Sequence, residues 1–583
     1  MHQPTRLFDV VTHQQQHYFK DDMLAAKENG AWRTYSTAET AEIATRFAAG
    51  LLRLGVSGRN MSVEQQDKIA LISFNRPEWI FTDLACQQAG AVLVPIYPTI
   101  SKPELEYVLK DSEARILFVQ GHELYEKVKD IPGLDIYSFN KIPGVKHWSG
   151  ITALAQPGDE ARVQSVKDGI LPTHLATIIY TSGTTGIPKG VMLSHQNIMS
   201  NMTACKEYLP VDEHARALSF LPLNHIFERM VTYLYMYAGV SVYYAEGMET
   251  IADNLREIKP GIFTTVPRLL EKVYEKIMAK GIALKGIKRA IFFWALNIAR
   301  EFEINKNQGL WYNAQLALAN KLVFSKWREA LGGNLQCIVT GAAACQIRLL
   351  KVFTAAGFSV LEGYGLTETS PVISVNRKEE KDRMFGTVGP VISNVEVKIA
   401  DDGEILCKGP NVTMGYYKRP DLTADAITDG WFHTGDIGML VNNRFLKITD
   451  RKKELFKTSG GKFVAPQPIE NKFRESPYIE QIMVVGADRK FTGALIVPNF
   501  RNLEDWARKN NTEPVLTSPK VKALYKQAVE KYNQSFNHIE QVKKFELMPH
   551  EWTVEGGEMT PTMKLKRKVI MEKYRDAIER IYA

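Results

Sequence analysis

The sequence has few cysteines, no long apolar run and no block of like charge. Its five cysteines are scattered, odd in number and form no C-x-x-C pair, which argues against a disulfide framework and against a cysteine zinc site. The first 22 residues lack an apolar core of signal-peptide length, and the longest apolar runs, near Val92 and from Ile291, are far shorter than a membrane span. We therefore expect a cytoplasmic protein, and peripheral contact with the inner membrane surface stays open.

The composition is that of an ordinary globular enzyme. The chain of 583 residues is 45% hydrophobic and 24% charged, without a low-complexity tract or an internal repeat. We expect two or more domains and no disordered, collagen-like or coiled-coil region. The formal net charge of +8 is not clustered as in a dedicated DNA binder. It favours anionic small ligands or an anionic membrane surface, and we expect no nucleic-acid partner.

Apolar, β-branched runs precede loops and helical stretches through the first three quarters of the chain. The segment 175–180 (LATIIY) predicts a buried strand, followed by a Gly/Thr loop and a helix from about Gln196. The segments 261–266 and 335–340 are likewise followed by helical patterns. This alternation predicts an α/β protein with largely parallel sheets.

The pattern changes twice in the last third. After about Gly386, short alternating runs separated by turn residues predict a smaller antiparallel unit. Between 448 and 461, charge and glycine interrupt the strands, and about 130 residues follow with strands and helices of their own. That length is enough for a compact α+β domain.

The densest Gly/Ser/Thr stretch is TSGTTG at 181–186, and Lys189 follows close behind it. Backbone N–H groups of a glycine-rich turn can converge on phosphate oxygens, while hydroxyls add donors and lysine adds charge. A Walker loop is excluded because Lys189 follows a proline and precedes Gly190, which breaks the G-x-x-x-x-G-K-[ST] spacing. The stretch therefore predicts a phosphate-binding loop of another kind; the alternative is a flexible surface turn.

Taken whole, the stretch from Tyr180 to His195 resembles the signature of the adenylate-forming superfamily: acyl- and aryl-CoA synthetases, luciferases and peptide-synthetase adenylation domains. The resemblance extends over essentially the whole chain from about Phe47. Further matches follow in that family's order, at 221–228 (LPLNHIFE), 341–344 (GAAA), 362–371 (EGYGLTETSP), 430–438 (GWFHTGDIG), 449–470 (TDRKKELFKTSGGKFVAPQPIE) and 560–568 (TPTMKLKRK). Within that superfamily the sequence is most similar to long-chain fatty acyl-CoA synthetases, on the segments 265–277 (TVPRLLEKVYEKI), 457–470 and 560–568.

The resemblance implies a fold and a reaction. A large N-terminal AMP-binding domain, residues 1–452, would hold two α/β subdomains and a β-barrel, and a small mobile α+β domain, residues 453–583, would follow. The reaction would use a fatty acid, ATP, Mg²⁺ and coenzyme A. The carboxylate would attack the α-phosphate to give acyl-AMP and pyrophosphate, and the CoA thiol would then displace AMP. In such chemistry the protein chiefly positions groups and neutralises charge.

The resemblance also implies roles for residues of the first domain. Thr367 would donate to the α-phosphate, and His225 would lie near the acyl carboxylate and the pyrophosphate exit. Glu368 and Thr181 would be the protein ligands of Mg²⁺, a hard cation that prefers oxygen donors. The β- and γ-phosphates would be held by Thr181, Ser182, Gly183, Thr184, Thr185, Gly186 and Lys189. The purine would be enclosed by Gly341, Ala342, Ala343, Glu362, Gly363, Tyr364 and Gly365, with Tyr364 covering the ring.

Four further roles fall at and around the predicted hinge, which the resemblance places at Lys453. Asp436 would accept hydrogen bonds from both ribose hydroxyls, and Arg451 would contact the ribose or a phosphate. Lys457 would bind cofactor beside the segment TSGGKF, which belongs to the face that presents CoA after rotation at Lys453.

The lysine of the C-terminal motif would neutralise charge between the attacking carboxylate and the α-phosphate. Aligning Thr562 with the family's threonine gives this role to Lys566. Lys564 is the alternative, because the two lysines stand two residues apart and the family's preceding glycine is missing.

Each role has a structural alternative. These are an exposed carboxylate for Glu368, a turn cap for Asp436, a solvated basic run for Arg451, a core histidine for His225 and a helix start for Gly341. The rival functions are a medium-chain or aryl acid–CoA ligase, a fatty acyl-AMP ligase that loads a carrier protein, and a non-catalytic acyl-binding protein.

Acyl chain length is not predicted by any motif, although 231–236 and the segment after Pro267 are candidates for lining the acyl tunnel. Oligomeric state also stays open, with a homodimer among the options.

Overall fold

The structure is a computed structural model that describes residues 3–56, 59–182, 187–560 and 564–583. The contacts within it divide the chain into two units. The first unit comprises Met1–Val397, Cys407–Phe432 and Asn442–Leu446, and the second comprises Lys398–Leu406, His433–Val441 and Lys447–Ala583.

Helices and strands alternate along the described residues. The helices are α1 Asp9–His17, α2 Thr37–Arg53, α3 Pro77–Gln88, α4 Lys102–Ser112, α5 Gly121–Val128, α6 Ser149–Thr152, α7 Asp159–Asp168, α8 His195–Lys206, α9 Ile226–Tyr237, α10 Ile251–Ile258, α11 Pro267–Ala283, α12 Gly286–Arg300, α13 Leu310–Ala319, α14 Ser325–Ala330, α15 Ile347–Ala355, α16 Pro420–Ala426, α17 Pro466–Phe473, α18 Phe500–Lys509, α19 Pro519–Asn533, α20 Arg567–Lys573 and α21 Arg575–Tyr582. The strands are β1 Leu24–Glu28, β2 Ala31–Tyr35, β3 Lys68–Ile72, β4 Val92–Ile96, β5 Ile116–Val119, β6 Asp135–Ser138, β7 Lys146–His147, β8 Leu175–Ser182, β9 Pro188–Ser194, β10 Arg216–Ser219, β11 Ser241–Tyr244, β12 Ile262–Thr265, β13 Cys337–Thr340, β14 Ser359–Gly365, β15 Val372–Val375, β16 Glu396–Ile399, β17 Glu404–Lys408, β18 Gly415–Tyr416, β19 Ile427–Thr428, β20 Trp431–Val441, β21 Phe445–Arg451, β22 Phe456–Lys457, β23 Phe463–Val464, β24 Ile479–Val485, β25 Gly493–Pro498 and β26 Lys544–Leu547.

Two eight-stranded sheets organise the first unit. One has the order β15-β14-β13-β12-β10-β11-β1-β2, and the other has the order β18-β9-β8-β4-β3-β5-β6-β7. Inner pairs such as β12–β13 and β3–β4 are parallel, whereas β14–β15, β8–β9 and β9–β18 near the edges are antiparallel. The inner strands β3 and β4 are buried along their whole length, as expected for parallel strands covered by helices on both faces.

The helix predicted from about Gln196 is present, and it begins at His195 as α8. The sequence analysis did not predict the strand β9, which lies between the Gly/Thr loop and this helix. Val191 and Leu193 of β9 are fully buried on either side of the less buried Met192, as expected for a strand period of two. Ser194 then caps α8 by accepting a hydrogen bond from the backbone N–H of Asn197 at 3.1 Å, and this capping box fixes the change from strand to helix.

The second unit contains most of a five-stranded sheet and a separate α+β core. The sheet has the order β16-β17-β20-β19, with β21 paired to β20. Farther along, β24-β25-β26 form a three-stranded sheet. Residues of α17 and α19 pack in one hydrophobic cluster with this sheet, and residues of α20 and α21 pack in another.

Across the described ranges, no helix combines the length and the apolarity that crossing a bilayer requires.

Candidate active site

The candidate phosphate loop connects two paired strands. β8 and β9 are antiparallel, with Thr181 opposite Lys189 and Ser182 opposite Pro188. Both ends of the loop are thus held by a strand ladder. Gly183, Thr184, Thr185 and Gly186 lie outside the described residues. A Walker loop would end in a helix, so the strand β9 supports the exclusion made from the sequence.

Lys189, Tyr416 and Glu368 come together beside this hairpin. The Lys189 ammonium lies 5.3 Å from the centre of the Tyr416 ring. The Tyr416 hydroxyl donates a hydrogen bond to Glu368 Oε1 at 2.9 Å. β18, which carries Tyr416, pairs with β9 so that Tyr416 lies opposite Val191. Burial and the nearby Glu368 carboxylate raise the pKa of Tyr416, so its hydroxyl stays protonated and remains a donor.

Glu368 is fixed through its backbone as well as its side chain. It lies in a short 3-10 turn, Thr367–Thr369, and its carbonyl accepts a hydrogen bond from the backbone N–H of Thr413 at 2.8 Å. The Asn411 amide donates to the Thr369 carbonyl at 3.0 Å. Thr367 at the start of the turn is buried. The carboxylate therefore has a defined position beside the phosphate hairpin.

The donor set fits Mg²⁺ that arrives with a nucleotide. In the described ranges no three His, Cys, Asp or Glu side chains form a cluster that could hold a metal alone. Mg²⁺ is typically bound through one or two protein oxygens together with substrate phosphates and water. The Glu368 carboxylate and the Thr181 hydroxyl are oxygen donors of that kind.

The two segments predicted to enclose the purine are tied together. The backbone N–H of Cys345 donates to the Glu362 carboxylate at 3.1 Å, and burial raises the pKa of Glu362 to about 8. Ala342 has a φ of 66°, an uncommon left-handed conformation for a residue with a side chain. Gly341 precedes it, and a Cβ there would lie 3.4 Å from the Phe227 ring.

Within the second of these segments, one glycine is required by packing. A Cβ on Gly365 would lie 1.7 Å from the Pro371 carbonyl oxygen, which no side chain can occupy. Gly363 pairs with Val375, and Tyr364 is half-buried just before the register shift at Gly365. The tight approach of β14 to the chain at Pro371 thus explains why a glycine follows Tyr364.

His225 caps the helix α9. Its Nδ1 accepts a hydrogen bond from the backbone N–H of Phe227 at 3.1 Å. In the neutral imidazole the proton must then lie on Nε2, since only one ring nitrogen carries hydrogen. The half-buried ring is therefore oriented by its own helix and has a donor on its other side.

An apolar cavity in the first unit adjoins one of the segments predicted to enclose the purine. It lies between the helix α9 and the strands β12, β13 and β14, and it reaches Gly363. Its far wall is formed by the chain that follows α8. The lining residues that argue most directly for an apolar ligand are Phe227, Met230, Val231, Leu234, Val339 and Leu361.

Of the two segments predicted to line an acyl tunnel, only 231–236 contributes residues to this cavity. Val231, Leu234 and Tyr235 contribute to it, and so do Ile262 and Thr264 of β12. The lining contains no residue of α11, although the sequence had suggested the segment after Pro267. The Tyr235 hydroxyl is hydrogen bonded to Thr264 Oγ1 at 2.8 Å, so the polar atoms of this wall satisfy each other and leave an apolar surface.

In the second unit, Asp436 and Arg451 form an ion pair. Arg451 Nε lies 3.2 Å from Asp436 Oδ1. Asp436 is buried in β20, whereas Arg451 ends β21 and is partly exposed. The structure therefore brings together the two side chains that the sequence assigned to the ribose and its phosphate.

The predicted hinge lies directly after this pair. Lys453 is exposed in a turn that begins where Arg451 ends β21. The preceding residue is anchored, because the Lys452 ammonium lies 2.6 Å from Asp402 and 2.9 Å from the buried Glu404. The ion-paired residue Lys452 thus directly precedes Lys453 in this turn.

The C-terminal lysines lie on one face of an extended segment. An isolated bridge joins Met559 and Leu565, and Leu565 packs into the hydrophobic cluster of α20 and α21. Because side chains alternate along an extended chain, Lys564 and Lys566 share the face opposite Leu565. Residues 561–563 of the motif lie outside the described residues. Lys566 is therefore still the predicted catalytic lysine, with Lys564 as the alternative.

Two residues near these sites were missed by the sequence analysis. Tyr416 gave no signal because its role depends on strand pairing with β9. Asp450 is buried beside the hinge and accepts a hydrogen bond from the backbone N–H of Gln467 at 3.4 Å. Burial raises the pKa of Asp450 to about 7. In the sequence, Asp450 lies in a charged stretch next to Arg451. Such a stretch is typical of solvated surface, so nothing in the sequence indicated that Asp450 is buried.

Lys457 belongs to a two-stranded pair. It ends β22, which pairs with β23, and its ammonium lies 4.6 Å from the centre of the Phe463 ring. Its carbonyl accepts the backbone N–H of Asp488 at 2.8 Å. The residue therefore sits on a defined strand, and its predicted part in cofactor binding stays a prediction.

Comparisons with known proteins show the family to which the chain belongs. A model of the AMP-binding enzyme family matches residues 12–417, and a model of the AMP-binding enzyme C-terminal domain matches residues 454–583. The chain belongs to the AMP-binding enzyme family. The resemblance drawn from its motifs is thereby confirmed.

Curated relatives cover nearly the whole chain. Long-chain-fatty-acid–CoA ligase FadD15 of Mycobacterium bovis is 35% identical over 570 residues, which cover 95% of this chain and 93% of the relative. Long-chain-fatty-acid–CoA ligase 1 of Homo sapiens is 32% identical over 601 residues, which cover 95% of this chain and 82% of the relative.

Solved structures share the fold at lower identity. ATP-bound MatB from Rhodopseudomonas palustris has a TM-score of 0.72 at 22% identity and covers 98% of this chain and 99% of its own. O-succinylbenzoate CoA synthetase from Bacillus subtilis, in complex with AMP, has a TM-score of 0.69 at 21% identity, with 96% and 97% covered. The predicted α/β fold class is confirmed.

Proposed function

We propose that this protein is a long-chain fatty acid–CoA ligase. A fatty acid carboxylate attacks the α-phosphate of ATP to form acyl-AMP and release pyrophosphate. The thiol of CoA then attacks the acyl carbon, the thioester forms and AMP leaves. The observation that carries the proposal is the apolar cavity beneath α9, which ends at Gly363 in the nucleotide segment.

The substrate class follows from that cavity and from the relatives. An apolar lining favours burial of methylene groups, each contributing about 0.8 kcal/mol, and offers little to an acid with polar groups along its chain. Two relatives that cover 95% of this chain are long-chain-fatty-acid–CoA ligases by name. Both lines of support favour a long-chain acid over an aryl acid.

In the first step the protein's own groups hold and neutralise charge. The loop 181–186 and Lys189 bind the β- and γ-phosphates, and Thr367 donates to the α-phosphate. Glu368 and Thr181 would hold Mg²⁺, which would supply positive charge beside the pyrophosphate leaving group. His225 presents its Nε2 proton toward the acyl carboxylate and pyrophosphate path.

In this proposal separate residues hold the purine and the ribose of the nucleoside. Gly341, Ala342, Ala343 and the segment 362–365 enclose the purine. Asp436 accepts from the ribose hydroxyls, and its ion pair with Arg451 (3.2 Å) supports the orientation of both side chains. In the folded free enzyme this pair keeps the two groups ready for the nucleotide.

We propose the chain is divided at 452/453 into an AMP-binding domain and a C-terminal domain that rotates at Lys453. Lys566 acts in acyl-AMP formation, and rotation replaces it with the CoA-binding face that includes the segment 458–463. Lys457, which precedes this segment, binds cofactor. The anchoring of Lys452 to Asp402 and Glu404 supports a pivot immediately after it. The protein works in the cytoplasm in this proposal.

The proposal is tested with a panel of straight-chain acids from acetate to C20, together with benzoate. Release of AMP and pyrophosphate is measured with and without CoA, and thioester is quantified by mass. We expect thioester formation to be fastest with acids of 12 to 18 carbons and to require CoA. Preference for acetate or benzoate would refute the long-chain assignment. Stable acyl-AMP that reacts with a carrier protein but not with CoA would refute the CoA ligase.

A matched variant separates the metal role from simple misfolding. Glu368→Gln keeps nearly the same volume and can still accept the Tyr416 hydrogen bond, but it loses the negative charge. We expect at least about a hundredfold loss of pyrophosphate release, the scale seen when one key electrostatic group is removed. Normal release at limiting Mg²⁺ would show that Glu368 is not a metal ligand.

A further inference from the structure

The helix α13 carries no charge although one of its faces is exposed. From 309 to 320 the sequence is GLWYNAQLALAN, without Asp, Glu, Lys, Arg or His. Leu310 is 90% exposed and Trp311 is 78% exposed. A helix that is apolar all round is normally buried in protein or in lipid. This one is covered on one side only.

The exposed apolar side chains form one stripe. We define the α13 stripe as Leu310, Trp311, Ala314, Leu318 and Leu322. Trp311, Ala314 and Leu318 are spaced by three or four residues and therefore share a face of α13, over about 10 Å of the helix axis. Leu322 lies in the π-helical turn Asn320–Phe324 that follows α13. Leu318 is 48% exposed and Leu322 is 39% exposed.

The opposite side of this helical segment is committed to the protein core. Ala319, Val323 and Phe324 are buried in the hydrophobic cluster that also contains Trp327. The Tyr312 hydroxyl donates to the Ile298 carbonyl at 2.9 Å and joins the segment to α12. The stripe therefore cannot turn inward to bury itself.

Basic residues outnumber acidic ones in the stretch of sequence that contains the stripe. Between 284 and 330 the chain has eight Lys or Arg residues and three Glu. Lys306, Lys321 and Lys326 are exposed on the segment that carries the stripe, and Lys288 and Arg289 are exposed on α12. Exposed apolar side chains together with basic residues are typical of a segment that binds an anionic lipid surface, where the acyl chains are apolar and the headgroups are negative.

We propose that the α13 stripe docks on the surface of an anionic phospholipid bilayer. Trp311 and the leucines enter the boundary between headgroups and acyl chains, where tryptophan is favoured, and the lysines contact lipid phosphates. A second copy of the chain fits less well, because the basic residues of two facing copies repel. The inference goes beyond the proposed reaction and uses none of the residues assigned to it.

The test uses the full chain and sucrose-loaded vesicles in a sedimentation assay. One set contains phosphatidylcholine alone, and the other contains 30% phosphatidylglycerol. The stripe variant is Trp311→Ser with Leu318→Ser. The control is Phe19→Ser with Leu171→Ser, which removes apolar side chains of 56% and 55% exposure outside the stripe. We expect at least about a tenfold lower partition coefficient for the stripe variant, since apolar burial scales with area, and no change for the control.

A second variant tests the charge. Replacing Lys306, Lys321 and Lys326 with Gln should lower binding to the anionic vesicles by about fivefold per lysine and leave the weak binding to phosphatidylcholine unchanged. Quenching of Trp311 by brominated lipid should disappear in Trp311→Phe, against the background of the other tryptophans.

Three outcomes would overturn the proposal. The first is equal sedimentation of the wild type with and without vesicles. The second is a stripe variant that binds as the wild type does. The third is a wild type that is dimeric by light scattering and does not bind vesicles, paired with a monomeric stripe variant, because the stripe would then be an interface between copies.

Discussion

Removing the Tyr416 hydroxyl tests whether the Lys189–Tyr416–Glu368 arrangement positions the metal ligand. In Tyr416→Phe the ring stays beneath the Lys189 ammonium, so the cation–π contact is kept. The variant loses only the hydrogen bond of 2.9 Å to Glu368. A hydrogen bond to a charged group contributes about 1.5–3 kcal/mol. Because Glu368 is half-buried, we take the lower end, which corresponds to roughly a tenfold effect on rate.

The assay is exchange of labelled pyrophosphate into ATP with palmitate as the acid, measured across a Mg²⁺ titration. We expect Tyr416→Phe to be about tenfold slower at limiting Mg²⁺ and to recover in part when Mg²⁺ is in excess, because a less well oriented carboxylate binds the metal more weakly. The control is Tyr417→Phe. Tyr417 is also buried, but its hydroxyl points to Glu113 at 3.5 Å.

The same chemical change one residue away should leave the Mg²⁺ titration within about twofold of the wild type. If the two variants lose exchange equally, the effect is one of general packing. If Tyr416→Phe titrates normally, its hydroxyl does not orient a metal ligand and the reasoning is wrong.

The remaining predictions concern catalysis, pH dependence and the core. Lys566→Ala should abolish acyl-AMP formation while supplied acyl-AMP and CoA still give thioester; the same defect in Lys564→Ala alone would transfer the role to that lysine. Since burial raises the pKa of Glu362 to about 8, the folded state keeps a proton that the unfolded chain loses from about pH 4.5. Through this group, wild-type stability should fall as the pH rises between these values by up to about 1.4 kcal/mol per unit. In urea unfolding of Glu362→Gln, where residue 362 does not titrate, the pH slope of stability should be smaller by this contribution. Asp83→Asn should lower the free energy of unfolding by about 3–5 kcal/mol, because it leaves a fully buried arginine without its charged partner, whereas Asp159→Asn in an exposed pair should lower it much less; equal losses would contradict the argument.

Much of the fold was predictable because it rests on local sequence. The runs at 175–180, 261–266 and 335–340 correspond to the strands β8, β12 and β13. They were recognisable because strands of a buried parallel sheet are nearly continuous runs of apolar residues. The strand β9 was missed. Its pattern is short and lies between a loop and a capping serine, where Ser194 already signals the helix.

Pairings across the sheet were the part that the sequence could not supply. Asp436 and Arg451 were assigned separately from motifs, and their ion pair depends on the strands β20 and β21 lying side by side. Tyr416 could not be connected with Glu368 from the sequence, because 48 residues separate them. Lys564 and Lys566 stay indistinguishable, since a separation of two residues in an extended chain gives both the same face.

The β8–β9 hairpin has a consequence for how the proposed phosphate loop binds anions. Ser182 and Pro188 are already opposite each other in the ladder, so the entropy of bringing the loop's ends together is lost when the protein folds rather than when a nucleotide arrives. Because a strand follows the loop, attraction for phosphate depends on local N–H groups and on Lys189 instead of on a helix macrodipole. Attraction of this kind between exposed charges is screened by added salt. Nucleotide affinity should therefore weaken with ionic strength even though the loop itself needs no rearrangement of its ends.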